Sequence, residues 1–301
     1  MNRPNTARAV VVLLAVQIVW GLSFLATNCA LKVTTPSVLL AWRFLLAFAL
    51  QNLCLLTGKR RLRLRGKKVL PVILMGVMEP GLYFFFEEYG IVYTNTSFSG
   101  VMIAIVPLVT LILAAIFLKE RPTLLQAASC VLSILAVAAL ALLGHSDGTV
   151  QPRGVVLLLG AVVTASVFTL LGRWSARAFT PFEQAYLVVA VGAVCFPAAA
   201  VAENLGALSR LIEPAAGLPF LLAVLFLGAA CSVFAYEGYS YALTCLPATR
   251  VASFSSLVTV VSILAGVLIL HEPFSWRHAV YSAAIILGVW GVQRFERRSE
   301  V

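Results

Sequence analysis

Polar positions are so sparse along the 301 residues that apolar stretches of about 20 residues dominate the pattern. That is the length a helix needs to cross about 30 Å of hydrocarbon at about 1.5 Å per residue. Ten such runs are predicted, at residues 8–30, 37–57, 69–92, 97–118, 123–143, 154–174, 181–202, 217–243, 247–270 and 277–294. Short polar loops separate them, so the expected fold class is an all-α integral membrane protein with ten transmembrane helices. The first run is too long for the apolar core of a secretory signal, and no small-residue cleavage pattern follows it. It is expected to be retained as helix one.

Composition agrees with this pattern. The chain is 61% hydrophobic and 11% charged, with a mean hydropathy of +0.99, against roughly 45–50% apolar usage in soluble domains. A net charge of +10 would point to nucleic acid in a soluble chain, but here the basic residues cluster between apolar runs. Topology accounts for them, and no nucleic-acid partner is expected. The densest cluster is Lys59, Arg60, Arg61, Arg63, Arg65, Lys67 and Lys68, between runs two and three. Placing it in the cytoplasm puts both termini there too, because the helix count is even. Arg3, Arg8, Lys119, Arg121, Arg173, Arg177, Arg250, Arg294, Arg297 and Arg298 then also fall inside. Lys32, Arg153, Arg210 and Arg277 fall outside, and Arg43 lies within a span. This bias predicts a multi-pass protein of the inner (plasma) membrane. Cys29, Cys54, Cys130, Cys195, Cys231 and Cys245 all lie in or beside apolar runs, without a CxxC or a neighbouring His. They read as small buried hydrophobes, and neither a metal nor a cofactor is expected.

The chain also repeats itself. Tyr89 opens YGIVYTNTS 31 positions before Glu120 of LKERPT, and Tyr241 opens YALTCLPAT 31 positions before Glu272 of LHEPFS. Thr35-Pro36 and Thr180-Pro181 open runs two and seven. Two units are expected, 1–146 and 147–301, each with five helices. Because five is odd, the second is inverted in the membrane relative to the first, the inverted-topology repeat used by many secondary transporters.

Trp20-Gly21-Leu22-Ser23-Phe24, Arg43-Phe44-Leu45-Leu46-Ala47, Tyr89 through Thr94, Pro107 and Leu118-Lys119-Glu120-Arg121 mark the first half. Tyr241-Ala242-Leu243 and Leu270-His271-Glu272-Pro273 mark the second. In their order and spacing they resemble the drug/metabolite transporter superfamily, specifically its EamA-type ten-helix carriers. The second half departs from the first with Thr259 opposite Pro107, and run six has Thr164-Ala165 where such proteins often carry Trp-Ala. The resemblance implies a basket-like bundle around a central cavity, and export or exchange of small metabolites, often amino acids.

The stretch Glu79–Gly100 places three carboxylates in a run otherwise apolar enough to span. An acidic residue at mid-membrane costs roughly 2.5 to 3.5 kcal/mol, so such groups normally face a bundle interior or a watery cavity. Glu79, Tyr83 and Glu87 recur at i, i+4 and i+8 and share one helical face, with Glu88 about 100° around from it. Glu87 is the first choice for the cavity. The alternative is that Glu87 and Glu88 lie close enough to the outer end to be solvated. Pro80 and Gly81 loosen this helix, as a hinge or as a structural kink satisfied by its neighbours. Arg43 needs an acceptor: a glutamate of run three or a substrate carboxylate on one reading, backbone carbonyls or an outward path on the other. In run eight, Tyr236, Glu237, Tyr239, Ser240 and Tyr241 form the nearest counterpart, with Glu237, Tyr241 and Thr244 on one face. Trp20, Asn28, Ser97 and Ser99 are further contacts, or ordinary packing and capping. Glu120 and Glu272 read as helix termination and capping of the next span. His145, His271 and His278 fall at loops or span ends, and no HExxH, GxSxG, GxGxxG or P-loop is present.

The expected function is that of a secondary transporter of small metabolites, most of all amino acids or related compounds, alternating access around a central cavity. Its candidate residues are Glu79, Tyr83, Glu87, Arg43, Trp20, Tyr236, Glu237 and Tyr241. The alternative is a polytopic membrane enzyme acting on a lipid-linked substrate. That reading needs a catalytic set near one interface, and the sequence offers no nucleophile or metal-ligand group for it. A channel or assembly subunit would need a continuous polar stripe or a soluble domain. The partners expected are a small-molecule substrate and the lipid bilayer, and both proton coupling and a homodimer are compatible with the architecture.

Overall fold

The computed structural model describes residues 6–93, 102–103, 105–120, 122–143, 151–270 and 276–295. The described elements are helical: α1 (Thr6–Ala30), α2 (Pro36–Leu56), α3 (Leu70–Gly76), α4 (Tyr83–Val92), α5 (Val106–Leu113), α6 (Leu124–Leu143), α7 (Pro152–Ser175), α8 (Pro181–Glu203), α9 (Leu218–Leu225), α10 (Ala235–Cys245), α11 (Ala248–Ser253), α12 (Ser256–Leu270) and α13 (Trp276–Arg294). Wider π-helical turns join α3 to α4 (Val77–Leu82) and α9 to α10 (Phe226–Phe234), and extend α5 (Ala114–Leu118). All ten predicted apolar runs carry helix among the described residues. Six of the stretches are long and apolar enough to cross a membrane: Thr6–Thr27, Pro36–Leu56, Leu70–Glu87, Pro152–Ser175, Pro181–Glu203 and Leu218–Cys245. Val106–Leu118, Leu124–Ala136 and Ala279–Val292 are shorter apolar helices.

Helix starts follow from local chemistry. Pro36 and Pro181 stand in the first turns of α2 and α8, where the amide that proline lacks has no helical acceptor. Thr180 and Glu183 close a reciprocal cap on α8: the Thr180 amide donates to Glu183 Oε2 at 2.8 Å, and the Glu183 amide donates to Thr180 Oγ1 at 3.3 Å. At α2 no such cap forms, and the Ser37 hydroxyl instead donates to Glu203 at the far end of α8.

Glu120 caps a different helix from the one its sequence position suggests. Lys119 turns into the left-handed region (φ 56°), which ends the preceding turn and swings the chain back. Glu120 then accepts from the Ala248 amide at 2.9 Å and from the Thr249 hydroxyl at 2.8 Å, capping α11. The next span, α6, is capped locally by Thr123 and Gln126.

Packing brings the two halves of the chain together. α2 lies along α8, α6 along α13, and α1 against α10 and α12; α7 lies against α4 and α5. Small residues allow close approach, as expected where lipid supplies no hydrophobic drive between helices. Gly192 of α8 is one such point, since a Cβ there would meet Phe44 of α2. Between α6 and α13, Ser133 donates to the Ile285 carbonyl at 3.3 Å and Gln126 donates to that of Val292 at 3.3 Å.

Candidate functional site

The site begins at the break between α3 and α4. A residue before proline is driven out of the helical region by clash with the ring, and Glu79 has extended backbone (φ −144°, ψ 123°) inside an otherwise helical stretch. Pro80 also removes one amide donor. Glu79 is part-buried and, among the described residues, has no hydrogen-bond or ion-pair partner. Helix resumes at Tyr83, so the predicted spacing holds from there: the Tyr83 hydroxyl donates to Glu87 Oε1 at 2.8 Å.

Arg43 of α2 faces these acids from across the bundle. It is buried, at 7% exposure, and its Nε donates to Ser232 Oγ at 2.8 Å. Ser232 sits in the π-helical turn and its hydroxyl donates a hydrogen bond to the Leu227 carbonyl five residues back, at 3.0 Å. The guanidinium lies over the Phe44 and Phe84 rings, 5.3 and 5.5 Å from their centroids. The Arg43 acceptor is therefore a serine hydroxyl, not one of the acids and not a backbone carbonyl. Its charge nevertheless acts on both Glu79 and Glu87, and the Glu87 carboxylate acts on Glu79. In a low-dielectric setting, two like charges and one opposite charge in electrostatic reach of one another are interdependent.

Aromatic rings wall the charged groups. Tyr83 and Phe84 meet at 5.4 Å, Phe84 and Phe196 at 6.2 Å, Phe196 and Phe44 at 5.2 Å, and Phe44 and Tyr236 at 6.5 Å. Tyr236 continues to Phe168 at 6.1 Å and to Trp20 at 6.0 Å, and both of those reach Tyr239. Two anchors fix this wall: Trp20 Nε1 donates to the Cys231 carbonyl at 3.2 Å, and Tyr239 shares a 2.8 Å hydrogen bond with Thr169.

Tyr83, Glu87, Arg43, Trp20 and Tyr236 are thus linked through one chain of contacts, with Glu79 within electrostatic reach of Glu87 and Arg43. Glu237 and Tyr241 do not join them. Glu237 pairs with Arg60 of the basic loop, and Tyr241 lies under the Arg8 guanidinium at 5.7 Å. The side chains of Asn28, Glu88 and His278, together with Thr94, Ser97, Ser99, His145, His271 and Glu272, lie outside the described residues. Tyr239, read in the sequence as part of the run-eight cluster, joins the wall, while Phe168 and Ser232 escaped the sequence reading. Tyr239 is three positions from Tyr236, a spacing that puts both on one face. Phe168 and Ser232 carried no signal in their apolar surroundings. Gln17 and Gln51 are buried at 1% and 0% exposure, and their amides have no partner among the described residues. Gln17 is one turn before Trp20 and Gln51 two turns past Arg43. A lone glutamine in each apolar run was the available signal. Among the described residues no group of three His, Cys, Asp or Glu is placed to hold a metal ion.

Comparison with known proteins agrees with this architecture. The model of the EamA-like transporter family matches residues 7–142 and again residues 152–294. An uncharacterized transporter of Bacillus subtilis strain 168, YcxC, is 31% identical over 274 residues, covering 90% of this chain and 88% of that protein. An uncharacterized transporter of Archaeoglobus fulgidus is 26% identical over 276 residues, covering 91% and 95%. A solved crystal structure superposes with a TM-score of 0.79 over 98% of this chain at 20% identity, a likeness of fold. With family matches spanning nearly all of both halves, the chain belongs to the EamA-like transporter family.

Proposed function

We propose that this membrane transporter is a secondary carrier of small metabolites, amino acids or related zwitterions, working by alternating access around the Arg43, Glu79 and Glu87 cluster. The observation that carries the proposal is this cluster: one guanidinium and two carboxylates held apart inside an aromatic wall, to which both halves of the chain contribute. A guanidinium suits a substrate carboxylate, a carboxylate suits an ammonium group, and the rings suit the apolar remainder or the cation's face. Glu79 and Glu87 are also protonatable groups within a membrane-spanning stretch, which makes proton coupling chemically accessible.

Ten spans in two inverted five-helix repeats, with both termini cytoplasmic in the inner membrane, complete the reading. The reciprocal packing supports it: α1 meets α12 as α5 meets α7, and α1 meets α10 as α4 meets α7, the pattern that exchange of two equivalent halves generates. The two separate family matches support it as well. The test is a thermal-shift screen of amino acids, amines, nucleosides and vitamins on the purified protein. Zwitterionic amino acids are expected to raise the melting temperature. A response confined to nucleosides or uncharged compounds would overturn the substrate class.

A further inference from the structure

The loop between α2 and α3 is more than a topological anchor. Glu183 of α8, with its side chain 2% exposed, accepts from the Arg63 backbone amide at 3.0 Å and from Lys67 Nζ at 2.6 Å. Arg60 pairs with Glu237 and lies over the Phe182 ring at 5.6 Å, and Lys67 lies over Phe179 at 5.0 Å. Leu64 packs into the main core. Residues 61–64 carry no helix or turn, and exposure alternates along the segment: Arg61, Arg63 and Arg65 are exposed, Leu62 and Leu64 part-buried. This is the period-two pattern of an extended segment, about 7 Å between successive same-face residues.

The strap is bolted down at both ends, and its outward arginine side chains have no partner among the described residues. Both acids within reach, Glu183 and Glu237, are already used by Lys67 and Arg60. A positive-inside bias alone would be met by a loose loop, whereas here the cations sit in fixed register, so little ordering entropy opposes a multivalent anion. Leu53, Leu56 and Leu70, on the helices flanking the strap, are 55%, 86% and 63% exposed, placing acyl-compatible surface beside the charges. We propose that Arg61, Arg63 and Arg65 form a binding site for anionic phospholipid headgroups at the membrane face where α2 ends. This site is independent of the substrate and of the direction of transport.

The test is a titration of the purified protein in neutral-detergent micelles with phosphatidylglycerol, read as a melting-temperature shift and an apparent affinity. Attraction near an anionic surface is worth about fivefold per basic residue, so R61Q/R63Q/R65Q is expected to weaken the apparent affinity on the order of a hundredfold. R61K/R63K/R65K is expected to retain most of it. Removing two arginines elsewhere, R210Q/R277Q, should leave it unchanged. If the triple variant does not purify, R63Q alone, expected to lose about fivefold, decides the matter, because only the Arg63 backbone is anchored. An unaltered response in the Gln variants would overturn the site. An equal shift with phosphatidylcholine would overturn the charge selectivity, and one with soluble glycerol phosphate would overturn the lipid assignment.

Discussion

Arg43 and Ser232 are 189 positions apart in sequence and joined by a 2.8 Å hydrogen bond from Nε to Oγ. This bond fixes α2 to the π-helical turn before α10 and satisfies one donor of a buried guanidinium that also lies over Phe44 and Phe84. Ser232→Ala removes the acceptor of a buried cation, which costs roughly 1–3 kcal/mol. Thermal unfolding in micelles should show that loss. Arg43→Lys is not expected to substitute for arginine, because a point-like ammonium cannot both hold Ser232 and stack between Phe44 and Phe84.

How much of this was legible in the sequence differs from residue to residue. The Tyr83 and Glu87 pairing was readable because it depends only on helical spacing, and the break at Glu79 because proline acts on its immediate predecessor; that break takes Glu79 out of the i, i+4 register. The Arg43 partner was not readable, since a serine in an apolar run carries no mark of what lies opposite. Glu237 shows the converse limit. Spacing tells which residues share a face, not where the face points, and the π-helical turn from Phe226 to Phe234 rephases the helix that carries it. That turn aims Tyr236 and Tyr239 at the site and leaves Glu237 for Arg60.

Gly192 sets the distance between α2 and α8. A methyl group there would come within 2.5 Å of Phe44 Cδ1, and Phe44 is fully buried against Phe196 at 5.2 Å. Gly192→Ala is expected to destabilise the protein by about 1–3 kcal/mol, the usual range for overpacking a core. The measurement is thermal unfolding, with the exposed Gly206→Ala as a control that leaves stability unchanged, since open space surrounds that position.

Gln51 is fully buried and its amide has no partner among the described residues. Replacing such a group by an apolar one of similar size removes a desolvation cost of about 1–3 kcal/mol. Gln51→Leu is therefore expected to raise the melting temperature. If the amide contacts substrate or cavity water instead, the same variant lowers flux in proteoliposomes, the usual trade between stability and function.

The central claim is that the acidic face opposite Arg43 handles the substrate, and Glu87 tests it most directly because its role separates from folding. Glu87→Gln keeps the shape of the side chain and an acceptor for Tyr83. Substrate flux across proteoliposomes should fall at least about tenfold, the equivalent of about 1.4 kcal/mol, while insertion and melting temperature stay near those of the unsubstituted protein. Unchanged flux with an unchanged pH dependence would contradict the account.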